Sequence, residues 1–350
     1  MALRVLNVAY PFAPVGPDAV GGAEQVLFQL DEALGRSGHR SILIACEGSR
    51  SAGIHVPVPR VSGDLQQAEI EAAQRRHRDA ITVALARWPI DVVHLHGVDF
   101  HAYLPQDGPP VLVTLHLPTD WYPTDAFTPH RPNVWFNCVS RSQHAASPPN
   151  VHMLPPIENG IADHFFAVAG TKRNFALMLA RICPEKGVHF AIEAAKRAGI
   201  PLIIGGEVFP YPAHRRYFER MVEPALDRQR RFVGPVGLAR KRRLLAMARC
   251  VLVPSLASET SSLVAREALA CGTPVIAFAR GALAETIEDG QTGFLVHDEI
   301  QMAQAITRVS ELDSDLCRRS ARQRFSVKRM MQSYLSVYKM LSRMTVPGAA

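Results

Sequence analysis

The stretch CVLVPSLASETSSLVAREALACGTPVIAF, from Cys250 to Phe278, shows most clearly how the chain is organised. It begins with an apolar run, passes through a short polar loop into a helical pattern that ends at Gly272, and closes with a second apolar run. A continuous run of Val, Ile and Leu is typical of a strand that is buried on both faces, and such strands alternate with helices in parallel sheets. The stretch therefore predicts a strand, a helix and a second, parallel strand.

The same alternation continues along nearly the whole chain. The predicted strands are RVLNVAY, SILIAC, DVVHLH, VLVTLH and VWFNCVS in the first half, and FALMLAR, PLIIGG, RFVG, CVLVPS, PVIAF and GFLV in the second. The predicted helices cover Gly22–Ser37, Gln66–Arg87, Gly187–Arg197, Tyr217–Leu226, Leu238–Arg249 and Leu263–Ala270. This pattern predicts an α/β protein with two doubly wound, Rossmann-like parallel sheets.

A length of 350 residues suits two domains, each with its own core. The turn-rich PPIENG precedes a fresh strand, which places the predicted domains at residues 1–168 and 169–350. The closing segment RFSVKRMMQSYLSVYKML has apolar residues at helical spacing but no strand beside it, so we expect a helix that crosses back to the first domain. Ligands of such sheets bind beyond the carboxyl ends of the strands, which makes the cleft between the domains the expected site.

Composition narrows the class of protein. No apolar run approaches the roughly 20 residues that span a bilayer, and the amino-terminal MALRVLNVAYPFAP reads as a strand rather than as a secretory signal. The six cysteines lie far apart without a CxxC pair, mostly in apolar segments. These features predict a soluble cytoplasmic protein with reduced, buried thiols.

The net charge of +7 is unevenly distributed. Residues 1–167 hold 11 arginines, no lysine and 16 acidic residues, whereas the rest of the chain holds 28 basic and 16 acidic ones. A basic second half suits an anionic ligand such as a nucleotide diphosphate. Nucleic acid is not expected, because no aromatic platform accompanies the charge. Peripheral membrane contact stays open as an alternative, although nothing in the sequence indicates it. We interpret the runs RQRR (Arg228–Arg231) and RKRR (Arg240–Arg243) as solvated helix ends.

Two acidic residues in the opening stretch are candidates for ligand binding. Glu259 lies in the predicted loop and Glu267 about one turn into the predicted helix, so both can face a ligand over the helix N-terminus. Free backbone N–H groups at that terminus suit a phosphate, and carboxylates suit the paired hydroxyls of a ribose or hexose. The alternative is a capped helix with exposed acids.

Arg181 and Lys186, in ARICPEKGV, directly follow the first strand of the second domain. Two cations at the carboxyl end of a strand can neutralise an anionic leaving group. An ordinary solvated loop is the alternative.

Taken together, these motifs resemble those of the retaining nucleotide-sugar glycosyltransferases of glycosyltransferase family 4, which have the GT-B fold. The resemblance covers nearly the whole chain. It rests on the E-x7-E pair with CGTPVIA, GALAETIEDGQTGFLV and ARICPEKGV, and on GGAE, GHR, DVVHLHG, VTLH, CVSRSQ, ENGI, LLAMARCVLVPS and RFSVKRM in the expected order.

The resemblance implies roles for second-domain residues. Glu259 would contact the donor sugar and Glu267 the nucleotide ribose, while Arg181 and Lys186 would neutralise the leaving diphosphate. The diphosphate would lie on the backbone amides that begin the helix. That donor-binding set is Ser262, Leu263 and Val264.

Two further features concern the choice of donor. Gly234, in VGPV, would border the base, which leaves UDP- and GDP-linked donors both open. The family usually has E-x-F-G where this chain has Glu259-Thr260-Ser261-Ser262, so the donor hexose is also left open.

In the first domain, the resemblance places Gly21 and Gly22 in a loop near the donor phosphates and the acceptor. Plain turn glycines are the alternative, and the loop lacks the G-x-G-x-x-G of a dinucleotide site. His116 would reach the donor sugar and would act with the catalytic set of the second domain. His96 more loosely matches an acceptor-side position, and a hydrogen-bonded core histidine is the alternative there.

No metal and no cofactor are expected. His94, His96 and His116 have no Cys or carboxylate at ligand spacing. The DSD at Asp313–Asp315 imitates a metal-binding D-x-D, but an Asp just before a helix is more simply an N-cap.

The resemblance therefore implies a retaining, metal-independent hexosyltransferase. It would move a sugar from a UDP- or GDP-linked donor to a small-molecule, glycan or lipid-linked acceptor. Two alternatives are a nucleotide-sugar epimerase of the same two-domain shape and a catalytically weak nucleotide-sugar-binding subunit. The departure at Ser261 and Ser262 is the observation that favours the latter.

Overall fold

The computed structural model describes residues 2–61, 66–149, 152–168 and 170–344. These residues form two compact units. Unit 1 contains the described residues up to Gly160 together with those from Val327 onward, and unit 2 is Ile161–Ser326. Each unit has its own parallel sheet, so the predicted pair of doubly wound sheets is confirmed.

The sheet of unit 1 has seven parallel strands in the order β3-β2-β1-β4-β5-β6-β7. Their bounds are β1 Arg4–Val8, β2 Arg40–Cys46, β3 Ile54–Val58, β4 Val92–Leu95, β5 Val111–Leu115, β6 Val134–Cys138 and β7 Met153–Leu154. The central strands β4 and β5 are buried along their full length, as their continuous apolar runs predict.

The sheet of unit 2 has six parallel strands in the order β10-β9-β8-β11-β12-β13. Their bounds are β8 Ala176–Leu179, β9 Leu202–Gly205, β10 Arg230–Phe232, β11 Cys250–Val253, β12 Val275–Phe278 and β13 Gly293–Val296. β8 and β11 are neighbours although 70 residues, 180–249, lie between them in the sequence. Side chains that follow these two strands are therefore brought together at one edge of the sheet.

The described chain contains twelve α-helices. They are α1 Gly22–Arg36, α2 Gln67–Arg87, α3 Arg141–Ala145, α4 Asp163–Phe166, α5 Val188–Arg197, α6 Pro212–Tyr217, α7 Leu238–Met247, α8 Leu263–Ala270, α9 Leu283–Thr286, α10 Glu299–Arg308, α11 Ser314–Phe325 and α12 Val327–Leu341.

One predicted helix differs from the observed structure. The prediction covered Tyr217–Leu226, whereas α6 begins at Pro212 and continues as a π-helical segment, Phe218–Val222, and a 3₁₀ turn, Glu223–Ala225. Proline is favoured in the first turn of a helix, which explains the early start. A second proline, Pro224, lacks the N–H that would continue the α-helical ladder, which explains the irregular end.

The closing helix α12 belongs to unit 1, as its lack of a strand partner predicted. The Tyr338 hydroxyl lies 2.7 Å from His94 Nδ1, and the Tyr334 hydroxyl lies 3.2 Å from Thr114 Oγ1. Both tyrosines are fully buried. These hydrogen bonds attach α12 to strands β4 and β5, so α12 is part of the core of unit 1.

The boundaries of the units differ from the predicted ranges, 1–168 and 169–350. The first change of unit follows Gly160, because Ile161 and Phe165 are buried in a cluster with α8 residues such as Ala265 and Leu269. The second change follows Ser326, at the junction of α11 and α12.

The other expectations from composition concern thiols and membrane helices. All six cysteines are free thiols and buried, which confirms that prediction. Among the helices within the described ranges, none is both long enough and apolar enough to cross a lipid bilayer.

Candidate active site

The predicted residues Lys186 and Glu259 meet in unit 2. Lys186 ends a 3₁₀ turn, Pro184–Lys186, that follows β8, and Glu259 lies in the loop that follows β11. Lys186 Nζ donates to Glu259 Oε1 at 2.6 Å, and the side chains are 23% and 12% exposed. The adjacency of β8 and β11 in the sheet explains this contact between residues that are remote in sequence. The pair can present a cation and a carboxylate to one ligand.

Backbone contacts fix the two loops that carry this pair. Leu256 N, in the β11 loop, donates to Glu185 O at 2.8 Å. Gly187 has φ +63°, and a Cβ at that position would overlap Pro254 O. Only glycine permits so close an approach in this conformation. The position of Lys186 relative to Glu259 is therefore set by the main chain.

Gly281, which the sequence analysis did not single out, holds Glu259 from the other side. Ala282 N donates to Glu259 O at 2.7 Å, and Glu259 and Gly281 form an isolated parallel bridge. Gly281 has φ +55°, and a Cβ there would overlap the backbone O of Glu259. The position of Glu259 thus depends on a glycine in the loop that follows β12.

We expect Gly281→Ala to lower the free energy of unfolding by about 2–4 kcal/mol, because the strain of a positive φ adds to a backbone overlap. Gly234→Ala is the matched control, since Gly234 has φ +68° but open space at the Cβ position. It should cost only about 1–2 kcal/mol. Urea denaturation of the three proteins measures the difference, and equal losses for the two variants would contradict the role of Gly281.

The loop ends in a strained residue at the N-terminus of α8. Ser262 is the N-cap residue, with φ 51° and ψ 74°, and among the non-glycine residues of the described chain only Ser262 has a positive φ. The left-handed region costs an L-residue roughly 1–2 kcal/mol, and such strain occurs at functional sites. Ser262 occupies the position of the glycine in E-x-F-G. The backbone therefore has a conformation typical of glycine, although the residue is a serine.

The Ser262 side chain makes no capping hydrogen bond to α8. The amides of Leu263 and Val264 are the first two of the helix, where no intrahelical acceptor exists. Beside them the Ser261 hydroxyl is buried, and within the described ranges it has no hydrogen-bond partner. This end of α8 therefore offers donors that suit an anion.

Glu267 lies inside the protein rather than on an exposed helix face. It is 2% exposed, and Lys241 Nζ donates to its Oε1 at 2.7 Å. Burial raises the pKa of Glu267, and the charge of Lys241 only partly opposes this. The second oxygen, Oε2, is buried and has no partner among the residues that the structure describes. Glu267 therefore has one buried oxygen whose hydrogen-bonding capacity is unused within the described ranges.

Lys241 is the residue that the sequence interpretation missed. It lies on α7 within the run RKRR, which was interpreted as a solvated helix end. That interpretation is wrong for Lys241, whose side chain is 15% exposed and whose Nζ lies 5.5 Å from the centroid of the Phe165 ring. The signal that could have found it is the need of a buried carboxylate for a cation.

Arg181 and Gly234 lie at the carboxyl ends of strands in the same sheet. Arg181 follows β8, and its guanidinium lies 5.8 Å from the centroid of the Phe209 ring. Gly234 follows β10, and Gly206 N donates to its carbonyl oxygen at 2.9 Å. The structure places Arg181, Gly234, Lys186, Glu259 and α8 at the same edge of this sheet, because all follow its strands.

In unit 1 the predicted Gly21 and Gly22 begin α1. Gly21 is the N-cap residue, and a Cβ there would overlap the Glu24 carboxylate. Glu24 is itself buried, and burial raises its pKa. The motif GGAE is therefore a glycine turn wrapped around a buried acid. The two glycines of this motif were predicted to be functional, whereas no role was predicted for Glu24.

His96 and His116 form a buried pair in unit 1. His96 Nδ1 lies 3.0 Å from His116 Nε2, and the rings are stacked with centroids 5.3 Å apart. Burial lowers the pKa of His116 to about 4, and burial together with the neighbouring histidines lowers the pKa of His96 well below its usual value. Both rings are neutral near pH 7 and can exchange hydrogen bonds without carrying charge.

His94 is a core histidine. Its two ring nitrogens lie 2.7 Å from the Tyr338 hydroxyl and 2.7 Å from Thr114 Oγ1, and burial lowers its pKa. Of the described residues, the histidines of unit 1 belong to no cluster of three ligating side chains. The DSD motif is also explained without a metal, because Asp313 accepts from Asp315 N at 2.7 Å and is the N-cap of α11, as predicted.

The buried histidines predict an acid-sensitive fold. Burial lowers the pKa of His77, His94, His96 and His116, to about 4 for His77 and His116, so the folded chain binds fewer protons than the unfolded chain below the usual pKa of 6.5. Each group then removes up to roughly 1.4 kcal/mol of stability per pH unit as the pH falls from 6.5 towards 4.

Urea denaturation at pH 7, 6 and 5 measures this slope. His77→Phe should reduce the dependence of the unfolding free energy on pH by the contribution of one histidine. His130→Phe, at an exposed position, should leave that dependence unaltered. A slope that is the same in both variants would contradict the assignment to buried histidines.

Comparison with known proteins supports this organisation. The family described as "Glycosyl transferases group 1" matches residues 161–326, which are the whole of unit 2, and "Glycosyltransferase Family 4" matches residues 20–148 of unit 1. A D-inositol 3-phosphate glycosyltransferase of Nocardioides sp. is 46% identical over 86 residues, which are 24% of this chain and 19% of the relative. The matched segment thus spans about a fifth of that relative's length.

Solved structures share the fold over nearly the full chain. Sucrose-phosphate synthase of Thermosynechococcus elongatus is 19% identical, with a TM-score of 0.82 and coverage of 98% of this chain and 100% of that one. The Anabaena protein Alr3699/HepE in complex with UDP-glucose is 17% identical, with a TM-score of 0.74 and coverage of 97% and 100%. The chain therefore belongs to the family 4 type of glycosyltransferases and has the GT-B fold.

Proposed function

We propose that this protein is a retaining, metal-independent glycosyltransferase that moves a hexose-type sugar from a UDP- or GDP-linked donor to an acceptor hydroxyl. The observation that carries the proposal is a pair of lysine–glutamate contacts in unit 2. One glutamate precedes the N-terminus of α8 in the sequence, and the other lies within α8. Family membership and the UDP-glucose bound to the Anabaena protein support it.

In this proposal the donor's diphosphate binds between Lys186, Arg181 and the first amides of α8. An ammonium group has three N–H donors, and Lys186 uses one of them on Glu259, so two remain for phosphate oxygens. Glu259 keeps further lone pairs for the hydroxyls of the sugar. The lysine–glutamate pair therefore orients both groups before the donor arrives, which reduces the entropy cost of binding.

The ribose is proposed to bind at Glu267. Its buried Oε2 would accept a hydrogen bond from a ribose hydroxyl, which satisfies an oxygen that otherwise has no partner within the described ranges. Lys241 fixes the carboxylate through Oε1. The base would then lie towards Gly234, where the space beside the glycine is open.

The proposed step breaks the bond between the anomeric carbon and the diphosphate oxygen and forms a bond to the acceptor oxygen on the same face of the sugar. The acceptor's proton passes to the departing diphosphate. Negative charge grows on that diphosphate as the bond breaks, and Arg181, Lys186 and the α8 amides stabilise it. No protein residue acts as a covalent nucleophile.

Unit 1 is proposed to bind the acceptor and to donate or accept a hydrogen bond to the donor sugar. Neutral His116 would offer a hydrogen bond to a sugar hydroxyl, with its ring held by His96. Gly21 and Gly22 would let the first loop approach phosphate or acceptor closely. The buried, free thiols support a reducing, cytoplasmic location.

The proposal is tested by thermal-shift measurements against UDP, GDP and a panel of their sugars, followed by transfer assays with the donor that stabilises the protein most. A ligand at 100 times its Kd should stabilise the folded state by about 2.7 kcal/mol. Epimerised nucleotide sugar formed without acceptor would indicate the epimerase instead. Binding without turnover on any acceptor would indicate a binding subunit.

Transfer is expected to persist in EDTA, because Arg181 and Lys186 supply the positive charge that a divalent cation supplies in other enzymes. The measurement compares initial rates before and after chelation and after readdition of Mg²⁺ or Mn²⁺. Loss of turnover that either ion restores would contradict the metal-independent mechanism.

A further inference from the structure

Three side chains that the proposed transfer does not use meet beside β8 in unit 2. They are Cys183, Glu185 and His214, and one ligand atom from each lies within 4.8 Å of the others. Within the residues that the structure describes, no other group of three potential metal ligands comes so close together. Cys183 and Glu185 flank a proline in the turn after β8, and His214 lies on α6.

The three donor atoms are sulfur, nitrogen and oxygen, a set that suits Zn²⁺. Zinc binds thiolate sulfur at about 2.3 Å and imidazole nitrogen or carboxylate oxygen at about 2.0–2.2 Å. A tetrahedral ion with these bond lengths needs its ligand atoms roughly 3.3–3.6 Å apart. The ligand atoms of the observed cluster lie within 4.8 Å of one another, so the side chains would have to close a gap of up to roughly 1.5 Å.

The histidine is already oriented by its neighbours. The His214 ring stacks on Phe209, with centroids 6.2 Å apart, and meets Tyr211 edge-on at 5.2 Å. Its Nδ1 is buried and has no hydrogen-bond partner in the described part of the chain. Packing therefore positions the ring, while one ring nitrogen remains available.

The other two ligands are carried by a rigid turn. Glu185 O accepts from Leu256 N at 2.8 Å and from Ser255 Oγ at 3.3 Å, and the turn ends at Gly187 with a positive φ. The Cys183 thiol makes only a long contact with a carbonyl, 3.8 Å to Arg181 O, besides its contact with the Glu185 carboxylate. Little existing bonding would be lost if both side chains turned to an ion.

We propose that Cys183, Glu185 and His214 form a Zn²⁺ site with three protein ligands and a water at the fourth position. The bound ion would join α6 to the turn that carries Lys186, and the thiol proton would be released to solvent. The site is separate from the transfer step, which needs no metal.

Arg181 gives the site a recognisable electrostatic signature. Its guanidinium lies 5.8 Å from the centroid of the Phe209 ring, on which the His214 ring also stacks, so its positive charge is close to the cluster. The same charge repels a divalent cation. Removing it should therefore tighten zinc binding, an effect that an adventitious surface site elsewhere would not show.

The experiment titrates the full chain, free of nucleotide, with Co²⁺ as a spectroscopic substitute for Zn²⁺, and then with Zn²⁺ in competition. The wild type is expected to bind one ion with a thiolate-to-cobalt absorption band. Cys183→Ser should lose that band, and His214→Gln and Glu185→Gln should each weaken binding at least tenfold. Arg181→Gln should tighten it several-fold.

His297→Gln is the matched control, because this exposed histidine of unit 2 lies outside the cluster, and it should bind like the wild type. Circular dichroism and thermal melting check that each variant is folded, and Cys183→Ala replaces Cys183→Ser if the serine is not tolerated. Absence of the band in the wild type, or its persistence in the folded Cys183 variants, would overturn the proposal. The titration contains no donor or acceptor, so its result is independent of the proposed transfer.

Discussion

Lys186→Ala is expected to lower the single-turnover rate of sugar transfer by on the order of 10²-fold or more at saturating donor, while weakening donor binding much less. Lys186 is held 2.6 Å from Glu259 and keeps two N–H donors for the leaving diphosphate that it is proposed to bind. Its attraction grows as negative charge develops on that group. The loss should therefore fall mainly on the rate.

Lys196→Ala is the matched control, since Lys196 is an exposed lysine at the end of α5 in the same unit. It should change rate and stability by little, typically within about 0.5 kcal/mol. Lys186→Arg keeps the charge in a different shape and should recover part of the rate. Single-turnover rates for Lys186→Ala close to those of the wild type would remove the leaving-group role.

The second large effect is expected at Glu267. Glu267→Gln should weaken binding of the bare nucleoside diphosphate about 10- to 100-fold, because an amide N–H₂ in place of Oε2 cannot accept from a ribose hydroxyl. Glutamine is preferred to alanine as the test, because alanine would leave Lys241 buried without its counter-ion and could cost about 3–5 kcal/mol of stability.

Glu259→Gln is the matched control for that experiment. It lies in the loop, is proposed to contact the sugar, and should leave the affinity for the bare diphosphate within about twofold while impairing transfer. Isothermal titration calorimetry with UDP and GDP separates the two carboxylates. Equal affinities in the wild type and Glu267→Gln would refute the ribose assignment, as would an equal loss in both variants.

The apolar strands explain why so much of the fold could be predicted. Eleven strands were expected from continuous runs of Val, Ile, Leu and Ala, and each is present in the observed sheets. The two that were missed are edge strands, β3 and β7. β3 is IHVPV, largely half-exposed and interrupted by Pro57, and β7 has only two residues. Edge strands need less apolar sequence, so they give a weaker signal.

Site residues could be predicted from the sequence where they directly follow a strand. They could not be predicted where their role depends on a tertiary contact. Lys186 and Glu259 each follow a strand, and neighbouring strands bring them together. Lys241 is on a helix inside a basic run, and only the packing of α7 on α8 reveals its contact with Glu267. Gly281 acts through a backbone overlap that no residue pattern shows.

The chain order of the two units has a consequence for biosynthesis. Unit 2 is continuous, and it begins and ends at one place, where Ile161 N donates to Phe325 O and Ile161 forms a parallel bridge with Ser326. Unit 1 needs α12, which is synthesised only after the whole of unit 2. During translation the second unit can therefore finish folding before the first, which inverts the usual amino-terminal-first order. A messenger truncated before Val327 would yield a folded unit 2 tethered to an incomplete partner.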